Sequence, residues 1–346
     1  MFVKSYKITE PKCFEIFVED IKEDKVLVRP EYLAICKADI RYYLGNRERT
    51  ILKRKFPMSL VHEGIGVVSR DKSGKFKAGQ RVVIIPCEKA ECDGTKCSSC
   101  VRTYDYLSDN YCPKSTFRSS NADGFSKEML NIDASYLLPI PDSIGEEAVF
   151  AELISVGCCA MRRAGLWERK PDEISVWGDG IMGYIIALVA RYGLGAKVNV
   201  IGVNREKLGK FSFAETFLSS DIDRLSKTSA CIEAVGGNNS ATAINQAIDS
   251  CFSGGTIVLC GVAGENAPIN TRLVLEKGLS LLGSTRSDIS DFEKAISLLE
   301  IPEFREKILA LVEGVDVVDD IRKYYEVFEN ASRSDSLGKR IIKLVF

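Results

Sequence analysis

Residues 174–204, ISVWGDGIMGYIIALVARYGLGAKVNVIGVN, constrain the fold most, because they combine an apolar strand, a glycine-rich turn, a helix and a second strand. The glycines have the G-x-G-x-x-G spacing, in which one permits a tight turn, one admits a pyrophosphate and one lets helix and strand pack closely. The amides at the helix start are placed to bind phosphate. The alternative is a glycine-rich turn in another α/β unit. The predicted dinucleotide-binding residues of this turn are Gly178, Gly180, Ile181, Met182 and Gly183.

The end of the second strand distinguishes the two nicotinamide cofactors. An NAD-specific site carries an acid at this tip, which accepts hydrogen bonds from the adenosine ribose and repels a 2′-phosphate. Here the strand 198–201 is followed by Gly202, Asn204 and Arg205, with no carboxylate among the residues at the tip. Glycine leaves room for a phosphate that Asn204 and Arg205 can bind, unless Arg205 simply faces solvent. The sequence therefore predicts NADP(H).

The composition is that of an ordinary globular protein with room for two cores. The chain has 346 residues, of which 45% are hydrophobic and 27% charged. A net charge of -1 and the lack of a long basic tract predict neither nucleic acid nor a membrane surface as a partner. The first residues lack a signal-peptide core, and the longest apolar run is about half of a bilayer span. We expect a cytoplasmic protein whose twelve cysteines are metal ligands or buried thiols.

The pattern of strands and helices changes near residue 143. Before it, short β-rich segments alternate with charged turns, which is typical of a β-rich module. After it, strands alternate with helices in the order of a doubly wound parallel sheet. The apolar residues 340–346 look like a strand that returns to the first module. We therefore predict an α/β protein of two parts, whose second part has strands at 174–177, 198–201, 230–233 and 256–259.

Cys36 and the pair His62 and Glu63 form the first cluster that could carry chemistry. A thiolate, an imidazole and a carboxylate can make an incomplete tetrahedral zinc site, whose open position accepts a carbonyl oxygen. His62 is the only histidine of the chain. A single histidine is more often a packed core residue, and a lone cysteine more often a small buried hydrophobe, so residue type leaves the zinc site open.

A second cluster lies in residues 87–112, where five cysteines occur in a segment of little apolar content. Such a segment cannot fold around its own core, so it needs a crosslink or a metal. Cys97 and Cys100 have the two-residue gap that lets adjacent thiolates share one ion. Cys87 is a rival for Cys92, and the alternative is five reduced thiols in a loop. The predicted structural zinc ligands are Cys92, Cys97, Cys100 and Cys112.

From end to end, the chain resembles the zinc-dependent medium-chain dehydrogenase/reductases, through AICKAD, VHEGIGVV, the cysteine lobe, DGFSKEM, AELISVGCCAMRRAG, GDGIMG and EAVGG in this order. Within that superfamily it is similar to the polyol dehydrogenases, and among them to the bacterial ribulose-5-phosphate reductases. The second likeness rests on KADIRYYLGNR, FPMSLVHEGIG, FRSSNADGF and NTRLVLEKGLSLLGSTRS. The resemblance implies a GroES-like catalytic domain over 1–152 and 286–346, with a structural zinc lobe at 87–112, and a Rossmann domain over 153–285.

The resemblance also implies a catalytic zinc ion on Cys36, His62 and Glu152, with Glu63 beside the metal or alternating as a ligand. The longer gaps between the cysteines of the lobe depart from the family pattern and leave the identity of its ligands open.

A further departure concerns the proton. Many family members have a hydroxyl residue two positions after the ligand cysteine, which relays the proton, but this chain has Ala38. The proton must then come through water, from a substrate hydroxyl, or by way of Glu63, Tyr42 or Tyr43.

The activity that the resemblance implies is the NADPH-linked reduction of D-ribulose 5-phosphate to D-ribitol 5-phosphate, for CDP-ribitol and ribitol-containing cell-surface polymers. A phosphorylated substrate needs cations, and guanidinium groups hold phosphate oxygens in a bidentate fork. The candidate arginines are Arg41, Arg47, Arg118 and Arg286, and any one of them could instead be a solvated surface residue. The predicted substrate-binding residues are Arg41, Tyr42, Arg118 and Arg286.

Two other functions stay open. One is an NAD(P)-dependent dehydrogenase of an unphosphorylated polyol such as sorbitol or xylitol. The other is a non-catalytic nucleotide-binding redox regulator that senses through the cysteine lobe, which the loss of the hydroxyl at position 38 modestly favours. The family resemblance further implies a homo-oligomer, dimer or tetramer, with a sugar-phosphate substrate and functional pairing with a cytidylyltransferase.

Overall fold

The computed structural model describes residues 1–89, 109–264 and 266–346, and these divide into two compact units. The first unit comprises residues 1–89, Asp109–Glu152 and Ala295–Phe346. The second comprises Leu153–Lys294, without the undescribed residue 265. Each unit has its own sheet and its own buried core.

The strands alternate buried and exposed side chains in the first unit and are almost wholly buried at the centre of the second. In chain order they are β1 (Phe2–Glu10), β2 (Cys13–Asp20), β3 (Val26–Ala34), β4 (Met58–Ser59), β5 (Glu63–Arg70), β6 (Arg81–Ile84), β7 (Cys87–Glu88), β8 (Thr116–Phe117), β9 (Leu130–Ile132), β10 (Leu137–Pro139), β11 (Glu173–Trp177), β12 (Lys197–Gly202), β13 (Glu215–Leu218), β14 (Thr228–Glu233), β15 (Cys251–Leu259), β16 (Ser280–Gly283), β17 (Val312–Val318) and β18 (Lys339–Leu344).

The helices are short in the first unit and longer around the second sheet. They are α1 (Lys37–Tyr43), α2 (Arg49–Lys55), α3 (Ala151–Arg163), α4 (Leu166–Arg169), α5 (Ile181–Leu188), α6 (Arg205–Leu208), α7 (Ser240–Ser250), α8 (Thr271–Lys277), α9 (Ile289–Leu299), α10 (Pro302–Leu309) and α11 (Ile321–Arg333). A π-helical turn, Val189–Gly193, continues α5, and the 3-10 helix Glu146–Phe150 leads into α3. Helices α1 and α2 have seven residues each, too few for a helical period to reveal them in the sequence.

The first unit is built on a seven-stranded sheet of order β10-β6-β5-β3-β18-β17, in which β9 also pairs with β3, and on the three-stranded sheet β2-β1-β4. The last strand pairs antiparallel with β3, with Ile341 opposite Ala34. The predicted return of residues 340–346 to the first module is therefore confirmed. Its core includes the fully buried side chains of Ile8, Leu33 and Phe125.

The second unit is a six-stranded sheet of order β13-β12-β11-β14-β15-β16, and every pairing within it is parallel. The predicted doubly wound sheet is confirmed. From β11 the chain proceeds outward to β12 and β13, and then returns to the other side of β11 at β14. Dinucleotides bind at the carboxyl ends of the strands where the order reverses in this way. The sheet thus places the residues after β11 and β14 at its switch point.

Asp123, in the DGF segment, anchors a cluster of charges in the first unit. Its Oδ2 accepts hydrogen bonds from Lys7 Nζ at 2.8 Å and Lys127 Nζ at 2.6 Å, and its Oδ1 accepts one from the Ser59 amide at 2.9 Å. Glu19 accepts from both lysines as well. Burial opposes ionisation of Asp123, but the charge of Lys127 and the bonds from both lysines outweigh it and lower its pKa below the ordinary value.

Replacing Asp123 by Asn should lower the free energy of unfolding at neutral pH by about 2 to 4 kcal/mol, because two largely buried lysines lose one of the two carboxylates that they share. Since the pKa of Asp123 is lower in the folded than in the unfolded chain, its stabilisation is present above the unfolded pKa of about 4 and is lost as the pH falls. Urea titrations at pH 7 and below pH 4 measure the difference, with the exposed Asp142→Asn as control. An equal difference between wild type and Asp123→Asn at both pH values would contradict this account.

Candidate active site

Cys36 is positioned by the start of α1. It is the N-cap of this helix, and its Sγ accepts a hydrogen bond from the Ala38 amide at 3.2 Å. The carboxylate of Asp39 accepts one from the Cys36 amide at 3.0 Å, which completes a reciprocal cap. Burial and the charge of Asp39 raise the pKa of the Cys36 thiol to about 11. A thiolate at this position therefore requires a cation beside it.

Asp39 also fixes the histidine. Its Oδ1 accepts hydrogen bonds from Ser119 Oγ at 2.6 Å and from the Val61 amide at 3.1 Å, and lies 3.6 Å from His62 Nδ1. The other ring nitrogen, Nε2, is 3.5 Å from Cys36 Sγ. Burial opposes ionisation of Asp39, but the charge of His62 outweighs it and lowers the pKa of Asp39 to about 2. In zinc sites a carboxylate commonly orients the ligating histidine from behind the ring; here Asp39 lies on that side of His62, just outside hydrogen-bond distance of Nδ1.

The backbone immediately before His62 is strained. Val61 has a φ of 71°, in the left-handed region that β-branched residues avoid. The Asp39 carboxylate holds its amide, and its carbonyl accepts a hydrogen bond from the Phe125 amide at 2.7 Å. Strain of this kind persists only where the surrounding structure fixes the backbone, and it is concentrated at functional sites. The strained residue, Val61, directly precedes His62 and helps to set the direction of its side chain.

Two buried carboxylates approach the same histidine. One potential ligand atom from each of His62, Glu63 and Glu152 lies within 4.8 Å of the others, and the same holds for Cys36, Asp39 and His62. Burial, together with the negative charge of Glu63, raises the pKa of Glu152 to about 7. The two groups share His62, and together they offer a sulfur, an imidazole nitrogen and carboxylate oxygens, a donor set that fits zinc.

Lys339, on β18, is the residue of this site that sequence reasoning missed. Its Nζ donates to both carboxylate oxygens of Glu63, at 2.6 Å each. The Glu63 side chain is fully buried and that of Lys339 is only 11% exposed, so the pair neutralises one of the carboxylates near His62. Only the pairing of β18 with β3 brings Lys339 to this place, and no local pattern in the sequence could reveal it.

The glycine-rich turn joins β11 to α5 in the second unit. Gly180 is the N-cap of α5, and a Cβ at this position would have no heavy atom within 4 Å, so the space before the amides of Ile181 and Met182 is open. A Cβ at Gly183 would collide with the carbonyl of Gly178. The close approach of helix to turn requires a glycine there.

The sequence predicts no carboxylate at the tip of β12, but the structure places the carboxylate of Asp179 there. Asp179, from the glycine-rich turn, places Oδ2 at 2.7 Å from the amides of both Val203 and Asn204. Strand β11 lies beside β12, so a side chain that follows one strand reaches the end of the other. Asn204 caps α6 by accepting from the Lys207 amide at 3.1 Å, and Arg205 is exposed. The carboxylate of Asp179 is therefore occupied by two amides.

The predicted phosphate-binding residues lie in different surroundings. Arg41 and Tyr42 are in α1, and Tyr42 is buried. Arg118 forms an ion pair with Glu88, with Nε donating to Oε1 at 2.7 Å. Arg286 lies in the second unit and has a φ of 57°.

The structural zinc lobe falls mostly outside the described residues. Cys92, Cys97 and Cys100 are not among them, whereas Cys87 and Cys112 are described and buried. The choice between Cys87 and Cys92 stays open. Among the described helices, none is both long and apolar enough to cross a membrane.

A β-rich unit in which Cys36 and Glu152 both lie near His62, together with a doubly wound parallel sheet, is typical of the zinc-binding alcohol dehydrogenases. Residues 22–142 match the alcohol dehydrogenase GroES-like domain, and residues 182–301 match the zinc-binding dehydrogenase family. The chain belongs to the zinc-dependent medium-chain dehydrogenase/reductase family, which confirms the resemblance.

Three similar proteins extend over nearly the whole chain. Ribulose-5-phosphate reductase 1 of Staphylococcus aureus is 38% identical, with 100% of both chains covered. Ribulose-5-phosphate reductase of Bacillus spizizenii is 36% identical, with 99% of both covered. The crystal structure of S. aureus TarJ in complex with NADPH has a TM-score of 0.85 and 32% identity, with 100% of both chains covered.

Replacing Cys36 by Ser should lower zinc affinity at least about tenfold, because the only thiolate of the described cluster is lost. The fold should be retained, since serine can still cap α1. Chelator competition followed by elemental analysis measures the affinity, and circular dichroism measures the fold. The matched control is Cys13→Ser, in β2. Equal zinc affinity in the two variants would exclude Cys36 as a ligand.

Proposed function

We propose that this protein is an NADPH-linked reductase of D-ribulose 5-phosphate, which yields D-ribitol 5-phosphate for CDP-ribitol and ribitol-containing polymers such as teichoic acid. The observation that carries the proposal is that Cys36 and the buried Glu152 both lie near the buried His62, in a chain that is similar over its whole length to ribulose-5-phosphate reductases. The complex of TarJ with NADPH supports the choice of cofactor.

Cys36, His62 and Glu152 would hold the metal, with Glu63 beside it or alternating as a ligand. A zinc ion held there would polarise the C2 ketone and stabilise the charge that develops on its oxygen, and NADPH would supply the hydride. Two further residues support the proposed ligands. Asp39 holds the His62 ring in place, and Lys339 compensates the charge of Glu63.

The proton for the product alkoxide needs a donor other than residue 38. Tyr43 donates its hydroxyl to Glu329 at 2.9 Å, and burial together with that bond raises its pKa to about 12. These contacts make Tyr43 a poor donor. Tyr42 accepts a hydrogen bond from Lys55 Nζ at 2.6 Å and keeps its own hydroxyl proton to donate. Glu63, Tyr42, water and a substrate hydroxyl remain the candidates for this role.

The nucleotide would bind over the glycine-rich turn, with its phosphates at the amides of Ile181 and Met182. The 2′-phosphate would lie at Gly202, Asn204 and Arg205, where the exposed guanidinium is free of ion pairs among the described residues. The carboxylate of Asp179 would not repel it strongly, because two amides already share its charge.

The remaining assignments follow the family. We place the GroES-like catalytic domain at 1–152 and 286–346 and the Rossmann domain at 153–285, with a structural zinc site on Cys92, Cys97, Cys100 and Cys112. In the structure the second compact unit ends at Lys294, which lies within α9, rather than at residue 285. We propose a cytoplasmic homo-oligomer, dimer or tetramer, that functions with a cytidylyltransferase acting on its product. Arg41, Tyr42, Arg118 and Arg286 are the proposed substrate-binding residues.

Ribulose 5-phosphate should be reduced with a kcat/KM at least about a hundredfold above that of ribulose, because a phosphate adds several charge-assisted hydrogen bonds. A matrix of ribulose 5-phosphate, ribulose and fructose against NADPH and NADH, followed by absorbance of the reduced cofactor, measures this ratio. Faster reduction of the unphosphorylated ketoses would favour a polyol dehydrogenase. No oxidation of either cofactor with any ketose by the zinc-loaded protein would favour the redox regulator.

Replacing Arg205 by Asp should lower the ratio of kcat/KM for NADPH to that for NADH at least about tenfold, because a phosphate ligand becomes a repelling charge. The matched control is Lys210→Asp, an exposed charge reversal shortly after α6. An unchanged cofactor ratio in Arg205→Asp would mean that the 2′-phosphate binds elsewhere.

A further inference from the structure

Two cations lie against one buried tyrosine in the first unit. Lys55 Nζ is 5.2 Å from the centroid of the Tyr42 ring and 2.6 Å from its hydroxyl, and Arg47 Cζ is 4.8 Å from the same centroid. Ser120 Oγ lies 3.4 Å from Lys55 Nζ. The hydrogen bond to the Tyr42 hydroxyl positions Lys55, and the contact with the Tyr42 ring positions Arg47. We call Tyr42, Arg47, Lys55 and Ser120 the cationic cradle.

The cradle has no anionic partner in the part of the chain that the structure describes. Neither Lys55 nor Arg47 forms an ion pair there, although both side chains are partly buried. Moreover, Nε of Arg47 is buried and has no hydrogen-bond partner. By contrast, Arg118 is already paired with Glu88. Two partly buried cations without a counter-charge, and an unsatisfied guanidinium nitrogen, are features of a site that binds an anion.

Two short structural links connect the cradle to Cys36 and His62, one along the chain and one through a hydrogen bond. Along α1, Cys36 caps the first turn and Tyr42 follows, about 9 Å further along the helix axis at the usual rise per residue. Along the second path, Ser120 follows Ser119, whose hydroxyl binds the same Asp39 that orients His62. An anion in the cradle would therefore lie about the length of a small sugar phosphate from Cys36 and His62.

We infer that the cationic cradle binds the phosphate of the substrate, with Lys55 and Arg47 as its principal charges. This inference rests on the proposed function, since it concerns the phosphate group of the ketose that is reduced. In ribulose 5-phosphate the ketone at C2 and the phosphate on C5 are separated by C3 and C4, so one molecule can present both groups to different parts of the site. Lys55 supplies a point charge, Arg47 a planar fork, and the two hydroxyls satisfy further phosphate oxygens.

The test compares kcat/KM for ribulose 5-phosphate with that for ribulose in the zinc-loaded enzyme. Lys55→Met should lower the ratio of the two at least about tenfold, mainly through the KM of the phosphorylated substrate. Lys55→Arg, which keeps the charge, should restore most of the ratio. Lys53→Met is the matched control, because Lys53 is an exposed lysine of the same helix. Arg47→Leu should lower the ratio as well, and serves as a second variant if Lys55→Met folds poorly.

Two results would overturn the inference about the cationic cradle and leave the proposed function intact. An unchanged ratio in both Lys55→Met and Arg47→Leu, with an active wild type, would place the phosphate elsewhere. An equal fall in kcat for both substrates would instead assign Lys55 and Tyr42 to proton delivery, because the proton is needed whether or not the ketose is phosphorylated. A wild-type enzyme that does not reduce ribulose 5-phosphate at all would overturn the proposed function together with the inference.

Discussion

The first unit depends on one buried carboxylate. Asp39 is fully buried, yet four groups share its two oxygens: the amides of Cys36 and Val61, the hydroxyl of Ser119 and, slightly further away, the ring of His62. These partners come from separate segments of the chain, so a single charge sets the start of α1, the strained peptide before the histidine and the turn after β8. An ion that is this expensive to bury is retained where it also fixes geometry. Here it fixes the distance between a thiol and an imidazole.

The neighbouring charges follow from the same constraint. Cys36 and Glu152 both lie near His62, and burial disfavours their charged forms, so that the thiol of Cys36 and the carboxyl of Glu152 both have raised pKa values. Lys339 compensates Glu63 alone. A divalent cation beside Cys36 and Glu152 would favour the charged forms of both, so binding of such an ion would be coupled to their deprotonation.

The structural features that depend on local interactions could be predicted from local patterns in the sequence. The strand, turn and helix around Gly178, the parallel sheet and the returning strand at 340–346 are present as expected, because glycine spacing and apolar periodicity decide them. The family motifs also pointed to Cys36, His62 and Glu152; the fold places Cys36 near His62 in one group of potential ligands and Glu152 near His62 in another. Lys339, Asp179 and Lys55 were not foreseen. Each acts on a residue that is distant in sequence or on a neighbouring strand, and pairing across a sheet or between short helices leaves no periodic signal.

The contact between Asp179 and Gly202 limits how this nucleotide site can evolve. An acid at the tip of β12 is the simplest change toward NAD, but a Cβ at position 202 would lie 2.7 Å from Oδ2 of Asp179. Any side chain there would first displace a carboxylate that holds the amides of Val203 and Asn204. A single substitution at this position would therefore damage the tip before it could recruit the other cofactor. Cofactor preference in this chain is protected by steric linkage between two turns, and its reversal requires coordinated replacement of both residues.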